Sequence, residues 1–136
     1  MPVDERILGY SNRWYPAAIE TAQPFDIAGH NLRVVTPAMF IATKLEAFRA
    51  RGGNDVFASH DLEDIIAVVD GRPEIVGDIA AAADDVREYI GVEIRALLDD
   101  RDFTEALAGF LLPDPASQAR RGLLEARLRA LSLPRI

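Results

Sequence analysis

Apolar positions recur at intervals of three and four over most of the chain and alternate over only one short stretch, so the sequence predicts helices with a single hairpin. Pro24-Phe25-Asp26-Ile27-Ala28 and Leu32-Arg33-Val34-Val35 alternate apolar and polar residues on either side of Gly29-His30-Asn31, which predicts two strands and a three-residue turn. His30 is then a turn residue and not a metal ligand. Ahead of the hairpin, Pro16 begins a short segment, Ala17 to Thr21, of one or two helical turns. Thr36-Pro37 opens the first long helix: Thr caps the free amides, and Pro fills the first helical position, where its missing N–H costs nothing. That helix runs to about Arg51 and is stopped by Gly52-Gly53-Asn54. Ser59 caps a second helix over His60 to Val69, which Asp70-Gly71 and Arg72-Pro73 terminate. Helices then follow over about 73–83, about 85–99 behind an Asp84 cap, about 102–111, and 115–131 behind Asp114-Pro115. The expected fold is mainly α with a small β-hairpin (α+β), a helical bundle following the hairpin.

Composition narrows the function classes. With 136 residues, 49% of them hydrophobic, the chain suits a single domain, 1–136, with its helical bundle over 37–136. Cysteine is absent, which excludes disulfides, thiolate zinc sites and a cysteine nucleophile and makes a reducing cytoplasm the expected compartment. Two histidines argue against a histidine-rich metal site. No apolar run approaches the roughly 20 residues of a membrane helix, so no membrane partner is expected. The net charge of -7 is unevenly spread: residues 1–51 hold six basic and five acidic groups, 52–114 hold four against sixteen, and 115–136 hold five against one. Phosphate contacts therefore belong on the first third or on the last helix. The bland alternative is a solvated acidic face.

Chemistry is concentrated on the first two long helices. At about 100° per residue, Ala38, Ile41, Leu45 and Phe48 form one stripe, with Lys44 on its edge beside Phe40, Phe48 and Arg51 and with Glu46 on the opposite, solvent side. In the next helix Leu62, Ile65, Ile66 and Val69 form the buried face; Asp61 and Asp64 share a flank, and Glu63 and Asp70 point away. Lys44 reads either as a snorkelling lysine or as a cation held near a cleft. Asp61 reads either as a first-turn acid favoured by the helix dipole or as a partner of Lys44 or Arg49 across a phosphate-binding cleft.

Phe40-Ile41-Ala42-Thr43-Lys44-Leu45-Glu46-Ala47-Phe48-Arg49, followed by Ser59-His60-Asp61-Leu62-Glu63-Asp64-Ile65-Ile66, resembles the third motif of the AbiEii-type abortive-infection nucleotidyltransferases. That motif is an apolar run, Lys, four residues, Arg, a spacer and D-L-x-D; the family belongs with the polymerase-beta-like enzymes. Met1 to Gly9 resembles the stretch that follows the strand carrying the third metal-binding carboxylate in that family. The resemblance implies a truncated nucleotidyltransferase-like fold in which 1–36 is a remnant of the catalytic sheet with its hairpin. It implies Lys44 and Arg49 as nucleotide-binding residues and Asp61 and Asp64 as catalytic-edge carboxylates. For the full family it implies Mg2+ and a nucleoside triphosphate, a nucleic acid or protein acceptor, and a toxin–antitoxin setting with an antitoxin-like protein partner.

The family's chemistry depends on an upstream Gly-Ser and D-x-D pair. The sequence has no Gly-Ser, and its D-x-D, Asp100-Arg101-Asp102, lies between helices and reads as a helix cap. A site without those carboxylates cannot clamp two Mg2+ ions, so this chain alone is expected to be inactive and to hold no metal of its own. Arg13 and Trp14 read either as a cation and stacking surface or, with Tyr15, as core anchors. Arg120, Arg121, Arg127 and Arg129 alternate with Leu123, Leu124, Leu128 and Leu131, as an RNA-docking helix or as a bundle helix with a basic outer surface. Two rivals to the enzyme-derived reading stand beside it: a non-catalytic helical interaction or regulatory module, homodimer included, and a plain helical domain in which every feature is packing.

Overall fold

The computed structural model describes residues 12–51 and 55–132. Helix α1 (Tyr15–Thr21) leads into strands β1 (Gln23–Ile27) and β2 (His30–Val34). The chain continues through α2 (Pro37–Ala50), α3 (His60–Gly71), α4 (Ile75–Ala80), α5 (Asp84–Leu98) and α6 (Arg101–Ala106). A 3-10 turn, Leu107–Phe110, precedes α7 (Pro115–Ala119) and α8 (Arg121–Ser132). The expected architecture, mainly helical with one antiparallel two-stranded hairpin, is the observed one.

The two long helices start where the caps place them. The Thr36 hydroxyl accepts from the Met39 amide at 3.3 Å, and Ser59 Oγ accepts from the Leu62 amide at 3.1 Å. The expected Gly52-Gly53-Asn54 stop and the opening stretch through Ser11 lie outside the described residues.

Four expectations change. The hairpin register pairs Ile27 with His30, so the turn is the two-residue Ala28-Gly29 and His30 belongs to β2. Both turn residues have positive φ (51° and 82°), as the turns that match strand twist require, and Ala28 hides that signal because asparagine or glycine is the usual occupant. Asp84 is the first residue of α5 and not its cap; it pairs with Arg87 three residues on. The helix expected over 102–111 tightens into the 3-10 turn after Ala106. The helix expected over 115–131 breaks at Arg120, leaving a short α7 capped by Asp114, whose carboxylate accepts from the Ser117 amide at 2.8 Å.

The core forms around α2, which packs on α1, α3, α4 and α5, while α8 covers α3, α4 and α5 from the other side. Ile41, Leu45, Leu62, Ile65, Ile66, Ile90, Ile94, Leu124 and Leu128 are fully enclosed. Each contributes about 1.5–3 kcal/mol by leaving water. Asn12 ties the leading segment to α2: its side-chain amide donates to the Thr43 carbonyl at 2.9 Å and its oxygen accepts from the Trp14 amide at 3.0 Å. Trp14 is buried, 5.0 Å from the Tyr89 ring, so it is a core anchor and not a stacking surface for a ligand.

The hairpin stands apart from this core, with every strand residue exposed. Its register places Phe25, Ile27, Leu32 and Val34 on one face and Asp26, Asn31 and Arg33 on the other. Arg33 links it to the helices by donating to the Ala22 carbonyl at 2.7 Å.

Candidate functional site

Helices α2 and α3 pack side by side, and the flank they share carries the charged cluster. Lys44, the one lysine in the sequence, leaves the apolar stripe of α2 toward the first turns of α3. Its ammonium lies 2.8 Å from Asp64 Oδ2 and 3.9 Å from Asp61 Oδ1, and 5.5 Å from the centre of the Phe40 ring. Three and seven residues separate these partners so that they meet on one side: Asp61 and Asp64 are one turn apart on α3, and Arg51, the C-cap of α2, follows Lys44 by two turns. Arg51 donates from Nη1 to Asp61 Oδ2 at 2.6 Å.

Burial separates the two carboxylates. The Asp61 side chain is 7% exposed, against 48% for Asp64 and 30% for Lys44. An ionised carboxylate so enclosed must be paired and hydrogen-bonded, and Arg51 supplies the bond while Lys44 supplies a second positive charge. Asp61 therefore does more than favour the helix dipole: it is the fixed acid between two cations. A shallow concavity of about 200 Å3, lined by Phe48, Arg51, Asp55, Ser59, His60 and Asp61 among others, opens beside it.

Arg49 is elsewhere. At five residues from Lys44 it points toward α5, where its Nε donates to Glu93 Oε1 at 2.5 Å. Of the four residues implied by the resemblance, Lys44, Asp61 and Asp64 converge and Arg49 does not; Arg51, on the lysine's face, holds the place beside Asp61. Glu93 lies 44 positions beyond Arg49, and no local pattern announces that pairing.

Two further acids leave their expected places. Glu46 accepts from the Tyr89 hydroxyl at 2.8 Å at the α2–α5 seam instead of facing solvent. Burial, and then the hydrogen bond to Glu46, push the Tyr89 hydroxyl well above the ordinary tyrosine range. Asp70 accepts both Nε and Nη2 of Arg120 at 3.1 Å instead of pointing away.

The arginines of the C-terminal region are engaged within the fold. Arg121 bonds Glu125 and the Thr104 carbonyl, Arg127 bonds the Val69 and Asp70 carbonyls, and Arg129 pairs with Glu125. Leu124, Leu128 and Leu131 face the core, so α8 is a bundle helix.

Among the described residues no group of three histidine, aspartate or glutamate side chains converges as a metal site requires. The donor set described does not fit a two-metal clamp, and no step through Mg2+ is assigned to it. Asp100-Arg101-Asp102 is a helix cap, with Asp100 Oδ1 accepting from the Asp102 amide at 2.9 Å. No helix among the described residues is long and apolar enough to cross a membrane. No family model, curated protein or solved structure matches the chain.

Proposed function

We propose that the chain is the helical, substrate-side part of an AbiEii-type nucleotidyltransferase, which binds a nucleoside triphosphate through Lys44 and does not itself transfer the nucleotidyl group. What supports the reading is one juxtaposition: the lysine of the K-x4-R helix meets both carboxylates of the D-L-x-D helix on one partly open flank. In this reading Lys44 contacts the phosphates as a point charge, Asp61 holds Lys44 and Arg51 in place, and Asp64 faces the ligand edge. Arg49, tied to Glu93, acts in packing α2 on α5. Catalysis requires the Gly-Ser and D-x-D half, which this sequence does not contain, and Mg2+ accompanies the nucleotide.

Isothermal titration with each nucleoside triphosphate and Mg2+ tests the reading. The wild type is expected to bind at least one of them, and Lys44→Ala to lose that binding. An unresponsive wild type, or equal heats from Lys44→Ala, overturns it.

A second reading, a non-catalytic module that docks on another copy of the chain, is favoured by the hairpin, where Phe25, Ile27, Leu32 and Val34 share an exposed face. Two-stranded hairpins are marginal until an apolar face is covered. Sedimentation velocity tests it: a wild-type dimer that Phe25→Ser with Leu32→Ser dissociates supports this reading, and a monomer at every concentration ends it.

A further inference from the structure

We propose that the Asp64 carboxylate is an internal stand-in for a ligand phosphate, holding the Lys44 ammonium until an oligophosphate displaces it. The inference rests on reading Lys44 as the phosphate-binding amine, and it adds how that amine is occupied when no ligand is bound.

The two acids beside Lys44 differ in what holds them. Asp61 is enclosed, and its Oδ2 is committed to Arg51 at 2.6 Å; leaving that place would strip a buried carboxylate of its bond. Its other oxygen stands 3.9 Å from the ammonium, beyond hydrogen-bond reach. Asp64 is the close partner at 2.8 Å, half exposed, with no other ion pair or hydrogen bond among the described residues. Rotation of its side chain into water sacrifices one screened ion pair, and such pairs are weak.

An oligophosphate brings several negative charges to the same amine, where Asp64 brings one, so it wins the exchange, and the carboxylate then turns outward from a charge of its own sign. The exchange takes place on the partly exposed flank where Lys44 meets Asp64, outside the concavity beside Asp61, which neither residue lines.

The test titrates sodium tripolyphosphate into the wild type, Asp64→Asn, Glu63→Gln and Lys44→Ala by calorimetry, with circular dichroism melts showing that each is folded. Glu63 is exposed on the same helix, so Glu63→Gln removes the same charge without touching Lys44. Asp64→Asn is expected to bind about fivefold tighter than the wild type, and Glu63→Gln to change by less than about twofold. Reductive 13C-methylation of the lone lysine supplies a second readout: tripolyphosphate should shift the Lys44 methyl resonance of the wild type. Lys44-dependent binding in which Asp64→Asn is no tighter than Glu63→Gln overturns the stand-in role and leaves the phosphate reading intact. Absence of binding by all four proteins, with an unmoved methyl resonance, removes the phosphate reading itself.

Discussion

The Tyr89 hydroxyl donates to Glu46 at 2.8 Å, so the acid on the outward side of the α2 stripe helps to fasten α2 to α5, beside the Arg49–Glu93 pair. The same ring packs at a tilt of 55° against Trp14, with the Arg13 guanidinium 4.6 Å from the Trp14 ring and 5.2 Å from Tyr89. Because folding raises the pKa of Tyr89 and so disfavours its ionisation, the stability linked to it is complete below the unfolded value of about 10 and is lost as pH rises beyond it. Tyr89→Phe should cost about 1–2 kcal/mol at neutral pH and flatten that alkaline loss. Urea melts from pH 8 to 11 on both proteins measure it; parallel pH profiles would contradict the assignment.

Asp61 and Asp64 should respond very differently to removal. Asp61→Ala leaves Arg51 without its bond and Lys44 without its buried neighbour, for an expected loss of about 1–3 kcal/mol. Asp64→Ala should change stability by less than about 1 kcal/mol, since that pair is half in water. Equal shifts in chemical denaturation midpoints would argue against a fixed acid and a displaceable one.

Arg127 terminates α3 from another helix. Its Nη1 donates to the Val69 and Asp70 carbonyls at 2.9 Å each, which lack partners within their own helix and sit at its negative end. Arg127→Met keeps much of the stem's packing and should still cost about 1–3 kcal/mol, while Arg127→Ala should cost more. Thermal melts of the two variants separate the hydrogen bonds from the packing.

Ala28 occupies the left-handed region at φ 51°. Ala28→Gly should relieve about 1 kcal/mol of local strain. The gain belongs to the hairpin, so native-state hydrogen exchange at the β1–β2 amides is the place to find it, with little change in the helical core.

The legible parts of the sequence were those in which a local rule had no competitor. Thr36-Pro37 and Ser59 place helix starts because a cap and its target amides lie within one turn of each other. The stripe Ala38, Ile41, Leu45 and Phe48 is buried as its period requires, as are Leu62, Ile65, Ile66 and Val69. Lys44 with Asp61 and Asp64 was legible for the same reason: each helix sets its own flank, and adjacent helices joined by a short loop bring the flanks together. Glu46, Arg49 and Asp70 were not, because their partners Tyr89, Glu93 and Arg120 lie 43 to 50 positions away and are chosen by the packing of α5 and α8. Alternation marks the hairpin but not its register, because Ala28 stands where turn chemistry expects a more permissive residue. The break at Arg120 has a tertiary cause as well: that guanidinium turns toward Asp70 between α7 and α8.

Helix α8 is the cover for α3, α4 and α5, yet it follows all of them in the chain. During synthesis the side of α5 that α8 covers must wait until α8 has cleared the ribosome. Until then the nascent chain presents a greasy, half-finished surface, the state in which chaperone capture or premature termination would do the most damage.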